Sequence, residues 1–69
     1  MTKKTKIIST IGPSSNHPQI ISRMIKKGMN VARLNMAHLK NEDDVENIIN
    51  IIREESVKLN NYVGILMDI

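Results

Sequence analysis

The 69-residue chain is long enough for one small domain at most, and at that size the core is thin because so much of the chain lies at the surface. Hydrophobic content of 41% argues against disorder, the absence of cysteine excludes a disulfide framework or thiolate metal site, and a single aromatic residue, Tyr62, leaves no stacking platform for nucleic-acid bases. The net charge of +3 is partly concentrated in Lys3, Lys4 and Lys6, and no basic stripe continues beyond them, so the cluster reads as a solvated lead-in to a strand rather than an arm for nucleic acid or membrane.

Residues 5–11 are β-branched and apolar on both faces, which predicts a strand covered on both sides. This run is too short for a signal peptide, contains Ser9 and Thr10, and breaks at Gly12-Pro13, where the loop signal 12–16 begins. Pro18 fits the first turn of a helix, and Ile20, Ile21, Met24 and Ile25 follow as one apolar stripe. Lys26 and Lys27 suit the helix C-terminus, and Gly28 supplies the left-handed residue that ends it.

A second strand is predicted over 30–35, then a loop through Lys40. Asn41 is a good N-cap, with Glu42, Asp43 and Asp44 in the first turn of a long helix. Val45, Ile48, Ile49, Ile52 and Leu59 form its apolar face, and Glu54 and Lys58 can pair on its exposed side. Asn60-Asn61 ends that helix, and residues 62–68 form a third apolar strand. The order β-α-β-α-β, with strands covered on both faces, predicts an α/β fold with a parallel sheet and right-handed crossovers. The abundance of Ile and Asn reads as compositional bias, not as a functional set of asparagines.

Parallel strands bring their C-terminal ends to one rim, where α/β proteins bind ligands. That rim collects Thr10, Gly12, Pro13 and Ser14 from the first strand, Arg33, Asn35 and His38 from the second, and Asp68 from the third. A guanidinium at a strand end needs an anion, either a bound phosphate or carboxylate or a structural salt-bridge partner. Asn35 shares Arg33's face and could ligate a hard cation or form a turn. Asp68 could ligate a cation or cap a following helix. No Walker loop, dinucleotide glycine fingerprint or His-based metal spacing is present, since the glycines are Gly12, Gly28 and Gly64 and the histidines are His17 and His38.

Three stretches carry a family resemblance: Lys4-Thr5-Lys6-Ile7-Ile8-Ser9-Thr10-Ile11-Gly12-Pro13-Ser14-Ser15; Gly28-Met29-Asn30-Val31-Ala32-Arg33-Leu34-Asn35-Met36-Ala37-His38; and Ile65-Leu66-Met67-Asp68. In this order and spacing they resemble the N-terminal part of pyruvate kinase over essentially the whole chain. The resemblance implies that residues 1–69 are the first part of a TIM (β/α)8 barrel, with the rest of the barrel, a β domain and a C-terminal domain outside them. It also implies transfer of the phosphoryl group of phosphoenolpyruvate to ADP, with Mg²⁺ and K⁺, in a cytoplasmic homotetramer or an organellar one after removal of a transit peptide.

By position, Arg33 matches the arginine that binds the phosphoryl-bearing substrate. Asn35, Met36, Ala37 and His38 match a stretch assigned to nucleotide binding, and Asn35, Asp68 and the Ile69 carbonyl match K⁺ ligands. The Mg²⁺ carboxylates of the family fall beyond Ile69. Three residues depart from the family pattern: Ala37 stands where serine is usual and weakens the K⁺ site, Leu39 stands where glycine is usual and points to a different loop path, and Ile69 stands where threonine is common. The isolated 69 residues are expected to be inactive and marginally folded or associated. Ala37 and Leu39 keep open a second reading, a non-catalytic binding or assembly protein on the same scaffold. A small flavodoxin-like domain would fit the element order alone.

Overall fold

The structure, a computed structural model, describes residues 6–12, 15–37, 39 and 41–68. Five elements follow in the expected order: β1 (Ile7–Ile11), α1 (Pro18–Lys26), β2 (Met29–Asn35), α2 (Glu42–Leu59) and β3 (Gly64–Asp68). Both strand pairings are parallel and the sheet order is β1-β2-β3. Each crossover therefore returns the chain to the neighbouring position, and α1 packs against α2 on one side of the sheet. A flavodoxin-like sheet reverses direction at a switch point, so this unreversed order sets that alternative aside and agrees with a barrel wall.

The helix-covered side holds one core. Ile11, Ala32 and Leu34 from the strands meet Ile21 and Ile25 of α1 and Ile48 and Ile52 of α2, all at 2% exposure or less. The expected stripes account for this packing, with Ile49, Leu59 and Met24 partly buried at its margin. Pro18 does open α1, and the Asn41 side chain caps α2 by accepting from the Asp43 N–H at 2.9 Å. Asn60, at φ 53°, is the left-handed residue that closes α2. Gly28 turns the chain from α1 into β2 at φ +108°, and a Cβ there would meet the Ile7 Cδ1 at 3.3 Å.

Four expectations are corrected. Coverage of the strands on both faces is not found: among the described residues the helices cover one face, leaving Ile8 58% and Leu66 48% exposed on the other. The strand signal in the sequence was a signal for a two-sided environment, and these residues supply one side of it. The third strand starts at Gly64 rather than at residue 62, because Tyr62 projects into solvent at 87% exposure while Val63 turns into the core. β1 begins at Ile7 and β2 at Met29, and Thr5 lies outside the described residues. Finally, Lys58 pairs with Glu55 at 3.2 Å, not with Glu54. Glu55 is buried in the furrow between the helices, where a carboxylate gains more from a partner than the exposed Glu54 would.

The loop after β2 also differs from a simple excursion. Leu39 is buried and joins the core cluster, so leucine in place of glycine anchors the loop on α2. Leu39, Met36, Val45 and Ile49 line a shallow apolar notch there.

Candidate functional site at the strand C-termini

Strand pairing decides which side chains meet. In β2, Ala32 and Leu34 point into the core, so Val31, Arg33 and Asn35 point to the open face. Thr10 is the register partner of Arg33, Leu66 is the partner of Arg33 on the other side, and Asp68 is the partner of Asn35. Register partners in a sheet share a face. Thr10, Arg33, Asn35 and Asp68 consequently form a polar cluster at the C-terminal rim, with Leu66 beside Arg33 at the same level and Ile8 and Val31 as the apolar pair below. Ile8, Arg33, Leu66, Met67 and Asp68 line an open depression on this sheet.

Within the polar cluster, Arg33 donates from Nη2 to Asp68 Oδ2. Both side chains are partly exposed, at 45% and 39%, so the pair is worth about 0–1 kcal/mol, as surface ion pairs generally are. Among the described residues, the carboxylate that meets Arg33 is Asp68, within this chain. Sequence spacing could not show this, because 35 positions separate the two residues. The contact becomes visible only when β2 and β3 are set in register, which places Asp68 diagonally across from Arg33.

Asn35 accepts from the Ala37 N–H at 3.0 Å through its side-chain oxygen, forming an Asx turn as the chain leaves β2. The Met36 N–H donates to the Asp68 carbonyl at 2.9 Å, tying the end of β2 to the end of β3. Met36 is half-buried against the core and Ala37 is exposed. His38 and Ile69, and on the first rim loop Pro13 and Ser14, lie outside the described residues. Gly12 and Ser15 bracket that loop: the Gly12 N–H donates to Ser15 Oγ at 2.9 Å and the Ser15 N–H to the Gly12 carbonyl at 3.1 Å.

For a hard cation the available donors are oxygens of Asn35 and Asp68, which are register partners on one face. Each makes one hydrogen bond or ion pair and retains lone pairs, so their chemistry fits K⁺, with Ala37 contributing no hydroxyl. Among the described residues, no group of three or more His, Cys, Asp or Glu side chains is placed to hold a metal ion. At the opposite end of the sheet sequence reasoning passed over Asn30, whose side-chain oxygen accepts from the Ile7 N–H at 2.9 Å. That bond sits where the β1–β2 register shifts between Ile7 and Ile8, and it supports the strands that carry the rim.

Comparison with known proteins gives this geometry a family. The family model "Pyruvate kinase, barrel domain" matches residues 2–69. The chain is 41% identical over 66 residues to a pyruvate kinase of Staphylococcus epidermidis and 44% identical over 66 residues to one of Staphylococcus aureus, covering 96% of this chain in each case. It spans 11% of the length of those relatives. Two crystal structures of pyruvate kinase from Cryptosporidium parvum superpose with TM-scores of 0.84 and 0.85 at 41% and 40% identity. They cover 94% and 96% of this chain, which matches 13% and 14% of theirs. Parallel β-α-β-α-β topology, a polar rim at the strand C-termini and a match over nearly every residue agree: the chain belongs to the pyruvate kinase barrel-domain family.

Proposed function

We propose that this segment serves the pyruvate kinase reaction, transfer of the phosphoryl group of phosphoenolpyruvate to ADP in glycolysis. In that reaction the bond from phosphorus to the enol oxygen breaks, a bond to an ADP oxygen forms, and the enolate takes a proton to give pyruvate. Residues 1–69 would be the N-terminal portion of the (β/α)8 barrel. The remaining barrel, a β domain and a C-terminal domain would come from polypeptide outside them.

The observation that carries this reading is the placement of Arg33: a partly exposed guanidinium at the carboxyl end of a parallel strand, on the face away from the helices. Phosphoryl transfer is catalysed chiefly by positioning and by offsetting charge on the transferring group, and Arg33 would supply a fixed positive charge there. Asn35, Asp68 and the carbonyl of Ile69 would hold K⁺, which adds positive charge beside the phosphate. The stretch from Asn35 through Met36 and Ala37 to His38 would border the nucleotide. Mg²⁺ would be held by carboxylates outside this segment. No helix among the described residues is long and apolar enough to cross a membrane. A cytoplasmic homotetramer, or an organellar one, belongs to the same proposal, with no role for nucleic acid or membrane.

A second reading, a non-catalytic binding or assembly protein, draws on Ala37. Leu39 no longer favours it, because that side chain has a packing role. The test is steady-state assay of the complete protein carrying this segment with phosphoenolpyruvate, ADP, Mg²⁺ and K⁺. Turnover, reduced about 10²-fold or more by Arg33→Ala, is expected from losing one charge-stabilising donor. A folded protein without turnover would support the non-catalytic reading. Turnover by the 69 residues alone would overturn the proposal that the rest of the barrel is required.

A further inference from the structure

The ion pair in the polar cluster suggests a role for Asp68 that is separate from cation binding, and it rests on the function proposed above. Arg33 reaches Asp68 through one nitrogen and one oxygen, Nη2 and Oδ2. A guanidinium carries five N–H donors in a rigid plane, so a single contact restrains its tip and leaves the other N–H groups of the fork uncommitted. Among the described residues, Arg33 makes no other salt bridge. Asp68 has the shorter side chain of the two; it lies in β3 in register with Asn35, and its carbonyl accepts from the Met36 N–H. A short side chain on a doubly tethered strand end thus holds the tip of a long, rotatable one.

We propose that Asp68 is a positioning residue for Arg33, holding the guanidinium so that its uncommitted N–H edge meets the phosphoryl-bearing anion, whether or not a monovalent cation is bound. Three roles for the carboxylate predict different signs. Acting only as a nearby negative charge, Asp68 repels an anionic substrate, and removing its charge tightens binding. Acting only as a cation ligand, it has no effect when no suitable cation is present. Acting as a positioning residue, it is needed in that same buffer, and its loss weakens binding because Arg33 must then be ordered by the substrate itself.

The test is calorimetric titration of phosphoenolpyruvate into the complete protein carrying this segment, with Mg²⁺ present and tetramethylammonium as the sole monovalent cation. Asp68→Asn is expected to weaken binding about tenfold, the scale of one charge-assisted hydrogen bond. Asp68→Glu keeps the charge but moves it by a methylene, and it is also expected to weaken binding. It serves as the independent measurement if the asparagine variant does not fold. In an Arg33→Lys background the same changes at Asp68 should matter much less, because an ammonium has no planar fork to aim. Unchanged or tighter binding in Asp68→Asn, or equal losses in the arginine and lysine backgrounds, would overturn the positioning role while leaving the proposed reaction standing. Wild-type protein that binds phosphoenolpyruvate only after K⁺ is restored would overturn the positioning role alone, and wild-type protein that binds none even with K⁺ would overturn both.

Discussion

The two faces of the three-stranded sheet are built from the same strands by alternation, yet they reach different states of completion. On the helix side, Ala32, Leu34 and Ile11 are wholly buried by side chains these 69 residues provide. The other side divides along its length: Ile8 and Val31 are an apolar pair, and Thr10, Arg33, Asn35 and Asp68 form the polar rim above it, with Leu66 set beside Arg33. The first face is mostly covered by its own chain, with Met67, the register partner of Leu34, still 47% exposed at the β3 edge. On the second face, among the described residues, Ile8 and Leu66 remain exposed beside the polar rim. A period of two in the sequence therefore encodes a wall with two functions, one side holding it together and the other presenting chemistry.

The largest effect that tests this contrast comes from the helix-covered face. Leu34→Ala should cost about 2–5 kcal/mol in chemical denaturation of the complete protein, as expected for truncating a fully buried aliphatic side chain. A cost under about 1 kcal/mol, well below that range, would show that the core described here is not the one that holds the protein together. Ile8→Ala, on the open face, sharpens the contrast. In the complete protein, where a closed barrel would cover it, the cost should be about 2–5 kcal/mol. A cost of about 0.5 kcal/mol or less, the margin for surface substitutions, would mean that the open face stays open.

Much of this arrangement was legible in the sequence, and the parts that were not share a cause. Element order, the helix stripes, Pro18, Gly28, Asn41 and Asn60 are local signals, carried within one or two turns of chain, and they were read correctly. The Arg33–Asp68 pair, the Asn30 contact to Ile7 and the burial of Glu55 depend on which segments lie side by side, and no local pattern encodes that. Asn30 shows that a composition rich in asparagine can hide a structural use: its side chain bonds a neighbouring strand, beside the local uses of Asn35 in a turn, Asn41 as a cap and Asn60 at a helix end. Leu39 shows the opposite difficulty. Compared with a family pattern it reads as a change of loop path, whereas its side chain fills the edge of the core, so the physical consequence is packing. Burial on both faces was over-read because a two-sided strand pattern reports the environment of the whole barrel.

Smaller effects probe how the covered face is secured at its edges. Asn41→Ala removes the acceptor for the Asp43 N–H and should cost about 1 kcal/mol, measured by the same denaturation, while Asn41→Ser should recover most of it. The smallest concerns Lys58, whose ammonium meets Glu55 at 3.2 Å across one turn of α2. Lys58 is largely in solvent, so Lys58→Ala should cost about 0.2–1 kcal/mol, and salt should diminish the difference. Glu55 faces the opposite balance, because its carboxylate is almost out of solvent and loses hydration whether or not Lys58 is present. Replacing Glu55 by Gln in the Lys58→Ala background should then be neutral or stabilising, since it removes a buried charge that has lost its partner. A clear loss of stability in the double variant would show that the furrow between α1 and α2 needs the negative charge for another reason, and Arg23 and Lys26, which border the same furrow, would be the cations to examine.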